Sequence, residues 1–432
     1  MTRLGELTAA LRHRDFRLLW TSQSLSVIGD QIITVAMALF IIDLTGSATD
    51  LGIVLAAHSL PLVAFILVGG IWADRLPRHR VVVVTDLIRF ALQATLAILI
   101  FADAVRVWEL VVISVLFGTA EAFYQPAVTA LMPQTVPEDE IQEANALTTM
   151  SNNIGEFIGP ALATLLVLGA GAGTAFALDA ATFLVSAAVV IRLRPRHRVT
   201  VDVGEAGGDG AAGAGWREEL RAGFREVRSR TWVWATLLAF SVAVFIGLAP
   251  WYVLGPLIAT EQYGDLAVYG AVAAVFGAGT VVGSLIGIRW RPLHPMRMAM
   301  VCICLLPISQ IVYAAGVSGF VVYPAVLIGG IGLALFNVWW LTALAERIPP
   351  DRLSRVTSYD WLVSLGLVPL GFLLAGPLAT EFGAVKIMII GSAIALVALL
   401  AALLPRETRD LRRLDDEEHL EGLGEPRPGL PA

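Results

Sequence analysis

Runs of apolar residues about twenty long recur from one end of this sequence to the other, and they leave the chain only one kind of solvent. A bilayer core takes about 20 residues of helix. Twelve segments of that order, bracketed by charge clusters and Gly or Pro breaks, can be marked off. They are 16–42, 51–72, 81–101, 108–131, 146–168 and 174–191, then 232–258, 267–288, 298–317, 320–345, 356–379 and 385–404. A soluble domain carries roughly 25% charged residues, whereas this chain of 432 residues has 15% charged and 57% hydrophobic. No water-soluble core could hide that surface. The pattern therefore predicts an all-α membrane protein of twelve transmembrane helices.

Basic residues fix an expected orientation, because cytoplasmic loops carry the excess of Lys and Arg. With the N-terminus placed in the cytoplasm, 27 of the 30 basic residues fall on that side, Arg106 and Lys386 fall outside, and Arg89 lies within a helix. Both termini and the central loop are thus expected in the cytoplasm, in a multi-pass protein of the plasma membrane. The N-terminal stretch has no short apolar segment followed by a small-residue cleavage site, so the first span is expected to stay as a helix.

Six spans precede the central loop and six follow it. Residues 1–192 and 231–405 are read as two pseudo-symmetric six-helix bundles, joined by a linker at 193–230 and followed by a cytoplasmic tail at 406–432. Within the linker, Trp216, Leu220, Phe224 and Val227 share one helical stripe flanked by arginines, the pattern of an amphipathic helix at a membrane surface or packed on the bundle. The halves align weakly at an offset of 212 residues: Tyr124-Gln125 meets Phe336-Asn337, and Pro137-Glu138-Asp139 meets Pro349-Pro350-Asp351. Parallel halves of this kind are expected around a central path.

Two stretches carry a family resemblance. After the second span comes Gly70-Ile71-Trp72-Ala73-Asp74-Arg75-Leu76-Pro77-Arg78-His79-Arg80, which resembles the major facilitator loop motif G-x-x-x-D-R-x-G-R-R, with Pro77 in place of Gly and His79 in place of a base. The resemblance implies a cytoplasmic gate in which Asp74 at a helix end joins Arg75 and Arg78 in a charge network, with Gly70 at its start. The second stretch, 118–160, contains Ala122-Phe123-Tyr124-Gln125-Pro126-Ala127 and Gly155-Glu156-Phe157-Ile158-Gly159-Pro160. It is similar to the branch holding enterobactin-type siderophore exporters and macrolide-type efflux pumps. Gly155, Gly159 and Pro160 match the front of the fifth-helix antiporter motif, although Ala163-Thr164 replaces its usual Gly pair. Small residues there allow close helix approach, and the proline bends the helix.

Ionisable groups inside membrane spans are costly and mark function by default. Asp30 in the first span, Glu121 in the fourth and Glu156 in the fifth are candidate proton carriers, with Arg89 in the third as conditional partner of Asp30 and Glu121; His58 lies in the second. Glu156 departs from the resemblance, which has a basic residue nearby, and so does the absence of an Arg from the fourth span. The second half is aromatic instead. Phe336, Asn337, Trp340 and Trp361, with Gln125 from the first half, are candidates for a cavity taking a bulky amphipathic molecule, against packing or lipid-facing roles.

The expected function is secondary active export of a small amphipathic drug-like or siderophore-like molecule, driven by a proton gradient. A lysophospholipid or nutrient carrier of the same fold is the alternative. A membrane enzyme ranks last, because the carboxylates are spread over separate helices and neither metal-ligand spacing nor a nucleotide-binding loop occurs. Protons, membrane lipid and the transported molecule are the expected partners of a monomer, with no cofactor, metal or nucleic acid. Cys302 and Cys304, a C-x-C inside an apolar run, read as packing residues.

Overall fold

A computed structural model of the chain describes residues 9–193 and 224–413, without the side chains of 66–75 and of six residues between 350 and 365. Twelve helices among the described residues are long and apolar enough to cross a membrane. The first six are α1 (Arg14–Thr45), α2 (Ala48–Arg75), α3 (Arg78–Phe101), α4 (Val107–Leu131), α5 (Ile141–Ala170) and α6 (Ala172–Val190). The others are α7 (Thr231–Tyr263), α8 (Ala267–Arg289), α9 (Pro295–Ala314), α10 (Gly319–Arg347), α11 (Tyr359–Phe382) and α12 (Ala384–Ala401). No strand occurs among the described residues, as the bilayer requires when every backbone group must bond within its own segment. The expected twelve-helix, all-α membrane fold is the observed one.

Glycines at positive φ follow α1, α5, α7, α9 and α11. Gly46 caps α1 at φ 63°, donating its N–H to the carbonyl of Ile42, and Gly171 at φ 84° turns the chain from α5 into α6. Both positions need the left-handed region that a side chain disfavours. The outward faces carry Ile98 (66% exposed) and Leu165 (70%), exposure of a kind that suits lipid rather than water.

Two compact units divide the chain, one of Met1–Asp202 with Ala259–Ala274 and Phe372–Thr380, the other of Val203–Ile258, Val275–Gly371 and Glu381–Ala432. In the first, α1 packs on α5 and α6, α2 on α4, and α3 on α4 and α6. Glycines set the closest of these approaches. A Cβ at Gly118 of α4 would strike the carbonyl of His58 in α2, and one at Gly155 or Gly159 of α5 would strike Val27 or Gln31 of α1. The Gly-x-x-x-Gly of the fifth span thus lets α5 lie against α1.

In the second unit, α9 packs on α10 and α12, and α7 on α12. Gly279, Gly283 and Gly287 line one face of α8 against Leu327, Ile331 and Val338 of α10. Its core is aromatic: Phe336 stacks on Phe240 with centroids 4.9 Å apart, and Trp232 meets Trp340 edge-on. Cys302 and Cys304 are free and buried. Three helices of this half depart from ideal α geometry. A π-helical turn, Val244–Leu248, interrupts α7, α9 breaks at Cys304 and α11 at Leu367. Of the linker, the stretch 216–223 lies outside the described residues, and a short helix occupies 224–229.

Candidate functional site

Charged and polar side chains gather among helices α1 to α6. Arg89 is 1% exposed and Asp86, one turn earlier on α3, is fully buried. Their side chains bond directly, as i,i+3 spacing allows on a helix face. Ser186 of α6 donates to the second oxygen of Asp86 at 2.6 Å. The guanidinium of Arg89 is held between two rings, 3.6 Å from the centroid of Tyr124 and 4.3 Å from that of Phe183. Cation–π contact of this kind is strongest where water is absent. The Tyr124 hydroxyl accepts from Gln23 of α1 at 2.6 Å, so α1, α3, α4 and α6 all meet around one guanidinium.

The expected partnership of Arg89 with Asp30 and Glu121 is therefore looser than its bond to Asp86. Both carboxylates still feel the charge of Arg89, but Glu121 has a closer partner in His58 of α2, whose Nε2 lies 2.8 Å from Oε2. Close approach of α2 to α4 at Gly118 brings that imidazole within reach. Gln125, one turn along α4, donates to the other oxygen of Glu121 at 3.4 Å and is exposed. Asp30 is half-buried on α1, within electrostatic range of Arg89, Glu121, Asp86 and His58. Glu156 is exposed on α5 and stands apart from the cluster.

Two members of the cluster escaped the sequence reading. Asp86 and Asp179 both lie inside membrane spans, so the criterion that singled out Asp30 also covered them. Asp179 of α6 is 1% exposed and accepts a hydrogen bond from Gln93 of α3 at 2.8 Å. Its other oxygen, Oδ1, is buried without a partner. With Asp30, Asp86, Glu121 and Asp179, four carboxyl groups share this region with one permanent cation, Arg89, and one imidazole, His58. A low-dielectric interior cannot hold so many unmatched negative charges. The arrangement is fit to bind protons.

The second-half candidates separate by burial. Phe336 is 1% and Trp340 4% exposed, inside the aromatic core, and Trp340 Nε1 donates to Asp360 at 3.0 Å. Asn337 and Trp361 are exposed, Trp361 at 63%. Gln310 of α9 is buried, accepting from Ser392 of α12 at 3.0 Å beside the π-helical turn of α7.

Of the loop motif, Gly70, Asp74 and Arg75 have no described side chains, while Arg78 donates to the carbonyl of Ala130 at the end of α4 at 3.0 Å. In the second unit a different carboxylate gathers the arginines. Glu226 bonds Arg230, and Arg352 at 3.0 Å. Burial pushes its carboxyl up, but the hydrogen bonds and charges of Arg230 and Arg352 outweigh that and hold it below the usual carboxylate range. Nearby, Glu407 accepts from the backbone N–H of Thr231 at 2.8 Å and caps α7.

A chain that crosses the membrane twelve times and gathers its charge inside one half belongs with the polytopic carriers. It is a member of the Major Facilitator Superfamily, whose pattern matches residues 19–363. Macrolide efflux protein A of Streptococcus pyogenes is 23% identical, over 93% of this chain and 97% of the relative. The enterobactin exporter EntS of Citrobacter koseri is also 23% identical, over 95% and 96%. Among solved structures, a bacterial homologue of the human lysosomal transporter Spinster superposes with a TM-score of 0.66 at 16% identity, over 91% of this chain and 97% of that one. The chain is thus a multi-pass membrane transporter with efflux proteins among its relatives.

Proposed function

We propose that this protein exports a small amphipathic molecule across the plasma membrane by proton antiport, with both termini in the cytoplasm. The observation that carries the proposal is the excess of carboxyl groups gathered among helices α1 to α6, Asp86 and Asp179 of them fully buried, over the one permanent cation beside them. Such a cluster exchanges protons when its access to water changes, and only a difference between two states can couple that exchange to transport. Asp30 and Glu121 are the carriers in this reading, and Arg89 sets the field they share. Glu156 is the reserve carrier. The names of the efflux relatives support the direction and the class of molecule. The loop of Gly70, Asp74, Arg75 and Arg78 is the gate. Substrate contact falls to the exposed Gln125 in the first unit and, in the second, to the exposed Asn337 and Trp361, with Phe336 and Trp340 in that unit's core.

The test uses proteoliposomes with a macrolide, a siderophore and an amphipathic dye, with and without an imposed proton gradient. Asp30→Asn and Glu121→Gln should each keep substrate binding and lose uphill transport, since an amide cannot cycle a proton. Trp361→Ala should weaken binding or change preference while leaving proton flux tied to whatever is carried. Uphill export at the wild-type proton stoichiometry in both carboxylate variants would refute the proton-carrier assignment.

A further inference from the structure

Of the four carboxyl groups in the α1–α6 cluster, two have partners of their own. Asp86 has Arg89 and Ser186, and Glu121 has His58 and Gln125. Asp30 and Asp179 are bonded to no cation among the described residues. At the α1–α6 contact Asp179 reaches α1 at the residue before Asp30: Gly29 lacks the Cβ that would collide with Asp179 Oδ1 and Thr182 Oγ1. The carboxyl groups interact electrostatically across that contact. Glycine at this position lets α6 bring its acid against the backbone of α1 beside a second acid.

The hydrogen bonds of Asp179 suit a neutral acid better than an anion. A carboxylate has sites for about four donors, and Asp179 has one amide donor from Gln93 with an unpartnered, buried Oδ1. Thr182 spends its hydroxyl proton on the backbone carbonyl of Asp179 at 2.7 Å. The charged and titratable groups facing the pair are His58 from α2, Asp86 and Arg89 from α3, and Glu121 and Tyr124 from α4. From α5, Glu156 is exposed and outside the cluster. Arg89 is already bonded to Asp86, so no cation is left to balance both acids.

We propose that Asp30 and Asp179 form one proton-binding unit across the α1–α6 contact, retaining a single proton between them at neutral pH. Asp179 is the dry member that holds the proton. Asp30 is the half-buried member through which it exchanges with water. This rests on the proton-antiport reading only for its use in transport; the sharing itself is a property of the resting protein. Two acids coupled in this way titrate as a pair, and removing the ionised Asp30 must ease ionisation of Asp179, whereas removing the neutral Asp179 takes no charge away from Asp30.

Site-resolved labelling of the purified full chain in nanodiscs with dicyclohexylcarbodiimide, which attacks protonated carboxyl groups in apolar surroundings, tests this by mass spectrometry between pH 5 and 9. Asp179 should label at pH 7. Asp30→Asn should move the Asp179 midpoint down by about one pH unit, a tenfold fall in proton affinity, and Asp179→Asn should leave the Asp30 midpoint near its wild-type place, because Asp30 ionises beside a neutral Asp179. If Asp179→Asn fails to fold, the Asp30→Asn arm decides alone. An Asp179 that stays unlabelled at pH 7, or whose midpoint does not move in Asp30→Asn, overturns the proposal. Labelling needs no transport, so a shifted midpoint beside intact uphill export in Asp30→Asn would sustain the pair and defeat the coupling reading instead.

Discussion

Replacing Arg89 by methionine removes a buried cation while keeping most of the side-chain volume. The site it leaves is dry: Arg89 is 1% exposed and Asp86 is fully buried. Asp86 would be left with the Ser186 hydroxyl as its remaining close donor. Breaking a buried ion pair from one side costs about 3 to 5 kcal/mol. Loss of the two ring faces of Tyr124 and Phe183 falls within that figure, since cation–π contact is worth about 0.5 to 2 kcal/mol and methionine keeps part of the packing. At about 1.4 kcal/mol per factor of ten, the ratio of folded to unfolded protein should fall by roughly two to three and a half powers of ten. Asp86→Asn should cost a similar amount, because it strands Arg89 in turn. The double variant removes both charges together, so its cost should be smaller than the sum of the single costs by at least about 2 kcal/mol. Reversible unfolding by SDS in mixed micelles, followed by tryptophan fluorescence, measures all four proteins. A single Arg89→Met cost below about 1 kcal/mol, or strict additivity in the double variant, would refute the reasoning.

Gly159→Ala should destabilise by about 1 to 3 kcal/mol through overpacking, because its Cβ would strike Gln31 of α1, backbone included. Gly155→Ala should cost less, since it meets the Val27 side chain first, and Gly169→Ala, which meets nothing within 4 Å, should be neutral or stabilising; equal effects at all three in the same titration would contradict the packing argument. Glu226→Gln should show a pH-dependent cost. The folded carboxyl lies below its unfolded value of about 4.3, so its contribution is fully present above that value and disappears as pH falls through the lower, folded one. Thermal melts of wild type and variant should differ at pH 7 and converge in acid once pH has fallen through the folded carboxyl's value, which lies below about 4.3, and a gap that persists there would show that Glu226 acts by packing alone.

The sequence by itself determined the solvent and hence the architecture. Twelve apolar runs have no alternative to membrane-crossing helices, because backbone polar groups in hydrocarbon must be satisfied locally. It also marked Asp30, His58, Glu121 and Arg89 as costly where they stand, and the same rule reaches Asp86 and Asp179. It could not pair them. His58 meets Glu121 across 63 residues and Ser186 meets Asp86 across 100, and such pairings depend on which helix faces turn toward each other. Spans that are apolar all round carry little record of that in their pattern. For the same reason Phe336 and Trp340 could not be told from Asn337 and Trp361 by position alone, although the first two are buried and the others exposed. Packing at Gly29 and Gly118, where a single absent Cβ sets the distance between helices, decided which charges share a site.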